Sequence, residues 1–365
     1  MTGSPGLDTP LLDRVVPRVD GWRQAATGPA SATGSYKEWM HFCVGLPTDP
    51  PGHLLVNVNV TERVLAGGPE RVARLIALAA VPGQDAGVGW VGGVHAFADG
   101  DVSGRSGDVR LRLGDNHLDW REGGFELALH TEDLRARLRL RPRTLPTAAS
   151  RVSFGDTHAI HWVVMPRLEA SGWVQPAGQP RLSLDRALAY HDHNWGNFSW
   201  GGDLAWEWGF AHPADARCPY SVVFVRVSDG GRHRTLSQAA LVWRGDGLVR
   251  TFQDRELAFA LSGVHRGPRP LTLPGVASLL VPGATSGVPA RVEVQAGGQR
   301  EAGQRDRVRI GFDTTSRARV AIPSDVDPFK LVLLNETSGA AQVSGAVAGE
   351  TFAFDGPAMM EFVRG

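Results

Sequence analysis

The sequence predicts an all-β protein in which two antiparallel domains follow one another along the chain. Apolar and polar residues alternate with period two in both halves of the chain, as half-buried strands require. Short turns rich in glycine separate these segments, and almost no segment has a strong helical pattern. A chain of 365 residues with 42% hydrophobic residues suits two barrels or sandwiches of roughly 150–200 residues each.

The elements of the first half support this class in order. The first 20 residues predict an arm that precedes the first domain. In "DVRLRLGD" (108–115) and "LRARLRLRPR" (134–143), apolar residues alternate with arginines, and "GGFELALH" (123–130) continues the alternation after a Gly-Gly turn. These segments predict consecutive strands of a meander. The segment 69–81 has enough Ala, Leu and Arg for a helix, and its periodicity does not decide between helix and strand.

The second half repeats the strand pattern and supplies a boundary. Asp-Gly pairs at 229–230 and 246–247 predict hairpin turns, and the Pro/Gly-rich segment 264–290 predicts a long connection. The predicted domains are 21–200 and 201–365. Because clefts between domains are preferred ligand sites, the residues around this boundary are the first candidates for function.

Charge and cysteine content narrow the class of partner and the compartment. The 38 basic and 38 acidic residues balance, so we expect no nucleic-acid partner and favour a small molecule. Cys43 and Cys218 have no C-x-x-C spacing and support neither a disulfide scaffold nor a zinc ribbon. The N-terminus has no signal-peptide pattern, and no apolar run approaches the roughly 18 residues of a spanning helix. We therefore expect a cytoplasmic protein.

The stretch "AYHDHNWGNFSWGGDLAWEWGFAHP" (189–213) concentrates histidines, acids and tryptophans. On a strand, Tyr190 and Asp192 lie on one face, whereas His191, His193 and Trp195 lie on the other. Only one of these sets can face a cavity.

The strand that follows predicts an aromatic wall. Trp206, Trp208 and Phe210 share a face, with Glu207 on the opposite face. Desolvation near such a wall raises the pKa of a carboxyl group, which can then protonate an alkene, and tryptophan faces stabilise the resulting cation. The structural alternative is that Asp192 caps a turn or pairs with an arginine while the tryptophans fill a barrel.

A metal site is a further alternative for the same stretch. His191-x-His193 is the spacing by which alternate strand residues reach one metal, with His212 or Glu207 as further ligands. The spacing of the remaining ligands matches no pattern that we can justify as a metal site, so we predict no metal.

Three segments carry a resemblance to a known family. "YHDHNWG" (190–196), "HWVVMPRLEASGWV" (161–174) and "SYKEWMHF" (35–42) resemble the tryptophan-rich motifs of the carotenoid 1,2-hydratase (hydroxyneurosporene synthase) family. That family belongs to a group of two-domain lipocalin-like proteins that includes tocopherol cyclases and several Diels-Alderases. The resemblance covers most of the chain.

The resemblance implies two lipocalin-like β-barrels, an apolar cavity for an isoprenoid or polyene, and no cofactor. It assigns the protonating acid to Asp192, with Tyr190 beside it, and it adds an upstream histidine and tryptophan to the active site. We map these onto His161 and Trp162. Further expected substrate contacts come from the aromatic and acidic residues Glu38, Trp39, Trp195, Trp206, Trp208 and Phe210.

Two departures from the family pattern affect individual residues. The position two before Trp162 is Ile160, so the nearest histidine, His161, points to the opposite side of the strand unless a bulge re-aims it. Relatives tend to have Glu-Trp-Trp-Tyr-Phe where this chain has Glu-Trp-Met-His-Phe at 38–42. Glu38 is either a second cavity acid or a buried structural partner, and we favour the structural role.

These observations predict a cofactor-independent enzyme, a hydratase or terpenoid cyclase of carotenoid or other isoprenoid biosynthesis, which protonates a C=C bond of an apolar substrate. We also expect the protein to associate transiently with a membrane, which would deliver the apolar substrate. Two other classes remain open. A pericyclase would only preorganise a chain for cycloaddition, and a lipocalin-like carrier would bind a lipid without chemistry.

Overall fold

The structure is a computed structural model, and it divides the chain into two compact units. It describes residues 7–31, 33–65, 68–83, 88–154, 158–202, 204–267, 270–275, 287–300, 304–327 and 329–364. The N-terminal unit comprises Met1–Val81 with Val91–Phe198, and the C-terminal unit comprises Pro82–Trp90 with Ser199–Gly365. The strands form two large sheets, which confirms the predicted all-β fold of two lipocalin-like antiparallel barrels.

The first sheet is antiparallel throughout its described pairings. Its strands are β1 (Tyr36–Leu46), β2 (Gly52–Leu65), β3 (Gly68–Pro82), β4 (Val88–Phe97), β5 (Val102–Gly104), β6 (Leu111–Leu113), β7 (Asn116–Arg121), β8 (Gly124–His130), β9 (Leu134–Pro142), β10 (Thr147–Phe154), β11 (His158–Pro176) and β12 (Leu182–Asn197). They lie in the order β4-β3-β2-β1-β12-β11-β9-β8-β7-β6-β5, and β10 pairs with β11. A short 3-10 helix, Asp99–Asp101, precedes β5.

The second sheet repeats this arrangement and adds one parallel pair. Its strands are β13 (Leu204–Ala211), β14 (Tyr220–Asp229), β15 (Thr235–Arg244), β16 (Gly247–Gln253), β17 (Leu257–Ser262), β18 (Leu271–Leu273), β19 (Arg291–Gln299), β20 (Arg305–Pro323), β21 (Leu331–Val347) and β22 (Glu350–Arg364), with a 3-10 helix at Asp254–Glu256. The order is β16-β15-β14-β13-β22-β21-β20-β19-β17, and β18 pairs in parallel with β20.

The predicted N-terminal arm contains an α-helix, α1 (Thr9–Asp20). Asp8 caps it by accepting a hydrogen bond from the Leu11 backbone N–H at 2.7 Å. Leu12 and Val16, four residues apart, lie on one face and are fully buried in the core of the N-terminal unit. The described part of the chain contains no helix whose length and hydropathy would let it span a bilayer.

The segment 69–81, which the sequence left undecided, is strand β3. Leu75 and Ala77 face the N-terminal core, while Ile76 and Leu78 on the opposite face are also buried. From Leu75 to Val81 both faces are buried, so no polar residue marks the period of two there, and this part of the strand is an apolar run.

The predicted turns are found where the sequence placed them. The Asp-Gly pairs lie in the β14–β15 and β15–β16 connections. The predicted connection 264–290 contains the short strand β18, and its residues 268–269 and 276–286 lie outside the described residues.

Gly196 ends the Tyr-x-Asp-His-x-Trp-Gly element because β11 passes too close for a side chain. A Cβ at this position would meet the backbone carbonyl oxygen of Ala159. We expect Gly196→Ala to lower the free energy of unfolding by about 1–3 kcal/mol, since β11 must shift to relieve the overlap. Urea denaturation measures this. The control is Gly100→Ala, where a Cβ meets nothing within 4 Å, and an equal effect of both substitutions would refute the explanation.

Candidate functional site

Strand β12 lies between β1 and β11, and the register of these strands sorts the candidate residues onto two faces. Residues directly opposite one another on antiparallel strands place their side chains on the same face. Asp192 lies opposite His41 of β1, and His193 lies opposite Met40. Met40 belongs to the N-terminal core, so His193 faces the barrel interior and Asp192 points to the other side of the sheet.

The side that carries Asp192, called the Asp192 face below, brings four predicted site residues together. By register, it carries Trp39, His41 and Cys43 of β1, Trp162 of β11, and Tyr190, Asp192 and Asn194 of β12. Tyr190 and Asp192 are 0% and 4% exposed. The predicted acid, its tyrosine and two of the predicted tryptophans therefore share one surface of the sheet.

The carboxyl group of Asp192 receives a hydrogen bond at each oxygen. The Tyr190 hydroxyl donates to Oδ2 at 2.7 Å, and the Asn194 amide donates to Oδ1 at 2.8 Å. Both donors come from the same strand, two residues before and after Asp192, because residues i and i+2 share a face. These donors stabilise the carboxylate that remains when Asp192 has given up a proton.

His41 is a buried residue of the Asp192 face that the sequence analysis noted only as a departure from the family pattern. Its Nε2 lies 3.0 Å from Cys43 Sγ. Burial, together with the nearby His191 ring, lowers the pKa of His41 to about 3, so the ring is neutral near pH 7. Its position opposite Asp192 depends on the β1–β12 register, and the local sequence contains no signal for that pairing.

The interior face of β12 carries a second group of polar residues, the His–carboxylate cluster of Asp20, Glu38, His191 and His193. Asp20 Oδ2 lies 2.8 Å from His191 Nε2, and Asp20 Oδ1 lies 3.2 Å from His193 Nδ1. His193 Nε2 lies 2.9 Å from Glu38 Oε1, and His191 Nδ1 donates to the His41 carbonyl oxygen at 3.0 Å. All four side chains are fully buried.

In this cluster, the attraction between opposite charges affects the pKa values of Asp20 and His193 more than their removal from water does. Burial alone raises the pKa of Asp20, but His191 and His193 together lower that pKa to about 2. Burial alone lowers the pKa of His193, whereas Asp20 and Glu38 raise it above its ordinary value. Asp20 is therefore ionised, and His193 is stabilised as an imidazolium between two carboxylates.

His161 and Trp195 lie on the interior side of the sheet, away from Asp192. Their rings stack at 5.3 Å between centroids and 3° between planes, and the Arg23 guanidinium lies 4.1 Å from the Trp195 centroid on β12. β11 has no register shift at His161, so this histidine points away from the side that carries Trp162. Burial and the charges of Arg151 and Arg23 lower the pKa of His161.

Glu38 is committed to protein partners. Its Oε1 accepts a hydrogen bond from the Arg23 backbone N–H at 2.6 Å, and its Oε2 accepts one from the Gln24 N–H at 3.2 Å. The Tyr36 hydroxyl and His193 also contact the carboxylate. These contacts favour the structural role over that of a second cavity acid, because they tie the chain after α1 to β1.

In the C-terminal unit, β13 presents the predicted aromatic wall. Trp206, Trp208 and Phe210 alternate with Glu207, whose carboxylate points the other way and pairs with Arg226 at 2.9 Å and with Arg232. The Trp206 indole N–H donates to Glu361 of β22. Within this unit, Glu361 therefore contacts the wall through Trp206.

Glu361 lies directly opposite Glu336 of β21, and the two side chains are hydrogen-bonded. Burial raises the pKa of Glu361 above its ordinary value. The sequence alone does not identify this acid, because it lies 155 residues from Trp206 and no local pattern connects the two residues.

The alternative of a metal site finds no ligand set in the described ranges. Among those residues, no group of three or more His, Cys, Asp and Glu side chains could hold a metal ion. His191 and His193 contact Asp20 and Glu38 instead, and Glu207 is paired with arginines.

No family model matches the chain, and no curated protein sequence matches it. Among solved structures, the chain is similar to a protein assigned as AttH from Nitrosomonas europaea, with a TM-score of 0.61, 14% identity, and coverage of 99% of this chain and 98% of that one. It is also similar to kievitone hydratase from Nectria haematococca, with a TM-score of 0.56, 13% identity, and coverage of 96% and 95%. A third similar structure is CghA with Sch210972, with a TM-score of 0.58, 12% identity, and coverage of 96% and 97%. At these identities the similarity shows the fold.

Proposed function

We propose that this protein is a cofactor-independent enzyme that protonates a C=C bond of an apolar isoprenoid or polyene, with Asp192 as the acid. The observation that carries the proposal is the environment of Asp192. It is a buried carboxyl group with one hydrogen-bond donor at each oxygen, on a sheet face that also carries Trp39 and Trp162.

The geometry suits proton donation in two respects. After the proton has moved to the alkene, the Asp192 carboxylate is held by Tyr190 and Asn194, which lowers the energy of the charge-separated state. The indole faces of Trp39 and Trp162 supply the electron-rich surroundings in which a carbocation is stabilised. Water then captures the cation in a hydratase, and an internal hydroxyl group or a second double bond captures it in a cyclase.

The fold neighbours support the hydratase form of the proposal, since one of them is kievitone hydratase. Within this class, the motif resemblance favours an acyclic carotenoid or related isoprenoid substrate. We place the activity in the cytoplasm, with transient membrane association as a route of substrate delivery.

Incubation in heavy water tests the proposal. The full-length protein and Asp192→Asn are each incubated with squalene, geranylgeraniol or lycopene, and recovered substrate and products are examined by mass spectrometry. We expect the wild type to place deuterium on carbon, and Asp192→Asn to lower this at least about 100-fold, because loss of a general acid removes 10²–10⁴-fold in rate. Asp185→Asn, at an exposed position of the same strand, is the matched control.

The other outcomes identify the competing functions. A new product without carbon-bound deuterium would replace the proposal with a pericyclase. Substrate that binds and is recovered unlabelled would replace it with a carrier. Undiminished labelling by Asp192→Asn would remove Asp192 from the role of acid.

A further inference from the structure

His41 faces the same side of the sheet as Asp192, and the function proposed above does not yet use it. The two residues are directly opposite in the β1–β12 register. Side chains so placed have Cβ atoms about 4.5–5.5 Å apart, which brings an imidazole and a carboxyl group within reach of one small molecule. Both are buried, at 3% and 4% exposure.

Resting on the proposed function, we infer that His41 is the base of the same reaction. It accepts a proton from the water that attacks the carbocation, and it returns that proton to Asp192. Protonation of an alkene consumes the proton of Asp192, so a buried acid needs a partner that restores it in each turnover. His41 is placed to do so from the neighbouring strand.

The His41 ring is in the state that this role requires. Burial lowers its pKa to about 3, so the ring is neutral and carries a lone pair near pH 7. In the tautomer whose Nε2–H points to Cys43 Sγ, 3.0 Å away, Nδ1 is the nitrogen that accepts a proton.

One member of the His–carboxylate cluster, His191, contributes to the low pKa of His41 from the other side of the sheet. His191 Nδ1 faces the His41 carbonyl oxygen, and His191 Nε2 faces Asp20. The His191 ring adds to the lowering of the His41 pKa, of which burial is the larger cause.

The catalytic cycle balances with these two groups. Asp192 gives its proton to one alkene carbon, which leaves a carboxylate and a cation at the neighbouring carbon. Water forms a C–O bond with the cation while His41 takes one water proton, giving the alcohol and an imidazolium. The imidazolium passes that proton to the Asp192 carboxylate, so the net reaction adds one water to one C=C bond.

The low pKa of His41 fits the last two steps. An alcohol protonated on oxygen is a much stronger acid than an imidazolium, so even a weak base accepts its proton. An imidazolium with so low a pKa then releases the proton readily to a carboxylate. Deuterium exchange at carbon occurs when the cation loses a proton back to Asp192, so it needs only Asp192. Alcohol formation needs both Asp192 and His41.

Two quantities test the inference: the amount of alcohol formed, and the amount of deuterium exchanged into the recovered alkene. The test is the ratio of the first to the second. Wild type, His41→Gln and His41→Tyr are incubated in heavy water with squalene, geranylgeraniol or lycopene. We expect both variants to retain exchange and to form alcohol at least about 100-fold more slowly, as for loss of a general base. His130→Gln, at an exposed histidine of the same unit, should match the wild type.

Each other outcome overturns the inference in a distinguishable way. If exchange and alcohol fall together in both variants, His41 is only structural, and if neither falls it has no role. A cyclised product without alcohol removes the attacking water. If the wild type itself places no deuterium on carbon from any of these probes, the proposed function fails, and the role of His41 fails with it.

Discussion

Replacing Asp20 by Asn is expected to lower the free energy of unfolding by about 3–5 kcal/mol, which is the usual cost of removing one member of a buried ion pair. Asp20 is fully buried and contacts both His191 and His193. Its removal leaves His193 with Glu38 as its remaining cluster carboxylate and His191 with none. The amide preserves the shape of the side chain, so the loss reports charge rather than packing.

Urea denaturation of the full-length protein, followed by tryptophan fluorescence, measures this loss. Trp22 is a suitable reporter, because its ring lies 5.8 Å from that of His193. Asp185→Asn removes an exposed carboxylate from the same strand as His193 and is expected to change stability by less than about 0.5 kcal/mol. A similarly small effect of Asp20→Asn would show that the cluster is not held by charge.

A double-mutant cycle sharpens the test. Asp20→Asn combined with His193→Gln removes both members of a contacting pair, so the two losses should not add. We expect the double variant to be less destabilised than the sum of the single variants, because the second substitution removes a charge that the first leaves uncompensated. Additive losses would assign the effect of each residue to separate interactions.

The sequence predicted which residues of β12 share a face, but it did not predict what each face meets. Alternation alone places Asp192 and His193 on opposite sides. Which face of β12 is turned to the barrel interior depends on how β12 pairs with β1 and β11. The register of that pairing is set by contacts between residues distant in sequence. For the same reason His41 was not recognised as a neighbour of Asp192.

The N-terminal arm contains a local helix signal that the prediction of an arm did not use. Asp8, followed by Pro10 and by apolar residues at 12 and 16, is a helix start with one buried stripe. The prediction of an arm over the first 20 residues did not use this pattern, and it did not include the acid at the end of α1. Asp20 has no sequence feature of its own, since its function in the fold depends on two histidines that lie about 170 residues later.

The aromatic wall shows which contacts alternation along one strand predicts and which contacts depend on pairing between strands. Trp206, Trp208 and Phe210 share a face as alternation predicts, and Glu207 points away from them to Arg226 and Arg232. Within the C-terminal unit, Glu361 of β22 contacts the wall through Trp206. A strand pattern can predict that an acid and a wall lie on opposite faces, but only pairing between strands identifies which acid reaches the wall.

The second large effect is expected from pH, and His41 contributes to it on the acid side. The pKa of His41 is about 3 in the folded chain, against an ordinary value of 6.5. Between these values the unfolded chain binds a proton that the folded chain does not, so stability falls as pH falls. Each unit of pH costs about 1.4 kcal/mol, or about 2 kcal/mol between pH 6.5 and pH 5.

Two residues of the His–carboxylate cluster, His193 and Asp20, act in separate pH windows. The pKa of His193 is raised, so its contribution is complete below its unfolded pKa of 6.5 and is lost as pH rises through its folded pKa. The pKa of Asp20 is lowered to about 2 from 3.8, so its contribution is present above pH 3.8 and is lost as pH falls towards 2. Between pH 6.5 and pH 4, neither changes its contribution.

His41→Gln isolates the contribution of His41 in that interval, because it removes this titrating group and leaves the other titrating groups in place. Urea denaturation of wild type, His41→Gln and the exposed control His130→Gln at pH 6.5 and pH 5 measures it. We expect the wild type and His130→Gln to lose about 2 kcal/mol more than His41→Gln between these two pH values. Equal losses in all three would mean that His41 gains its proton in the folded state. This stability measurement therefore tests the protonation of His41 without any substrate.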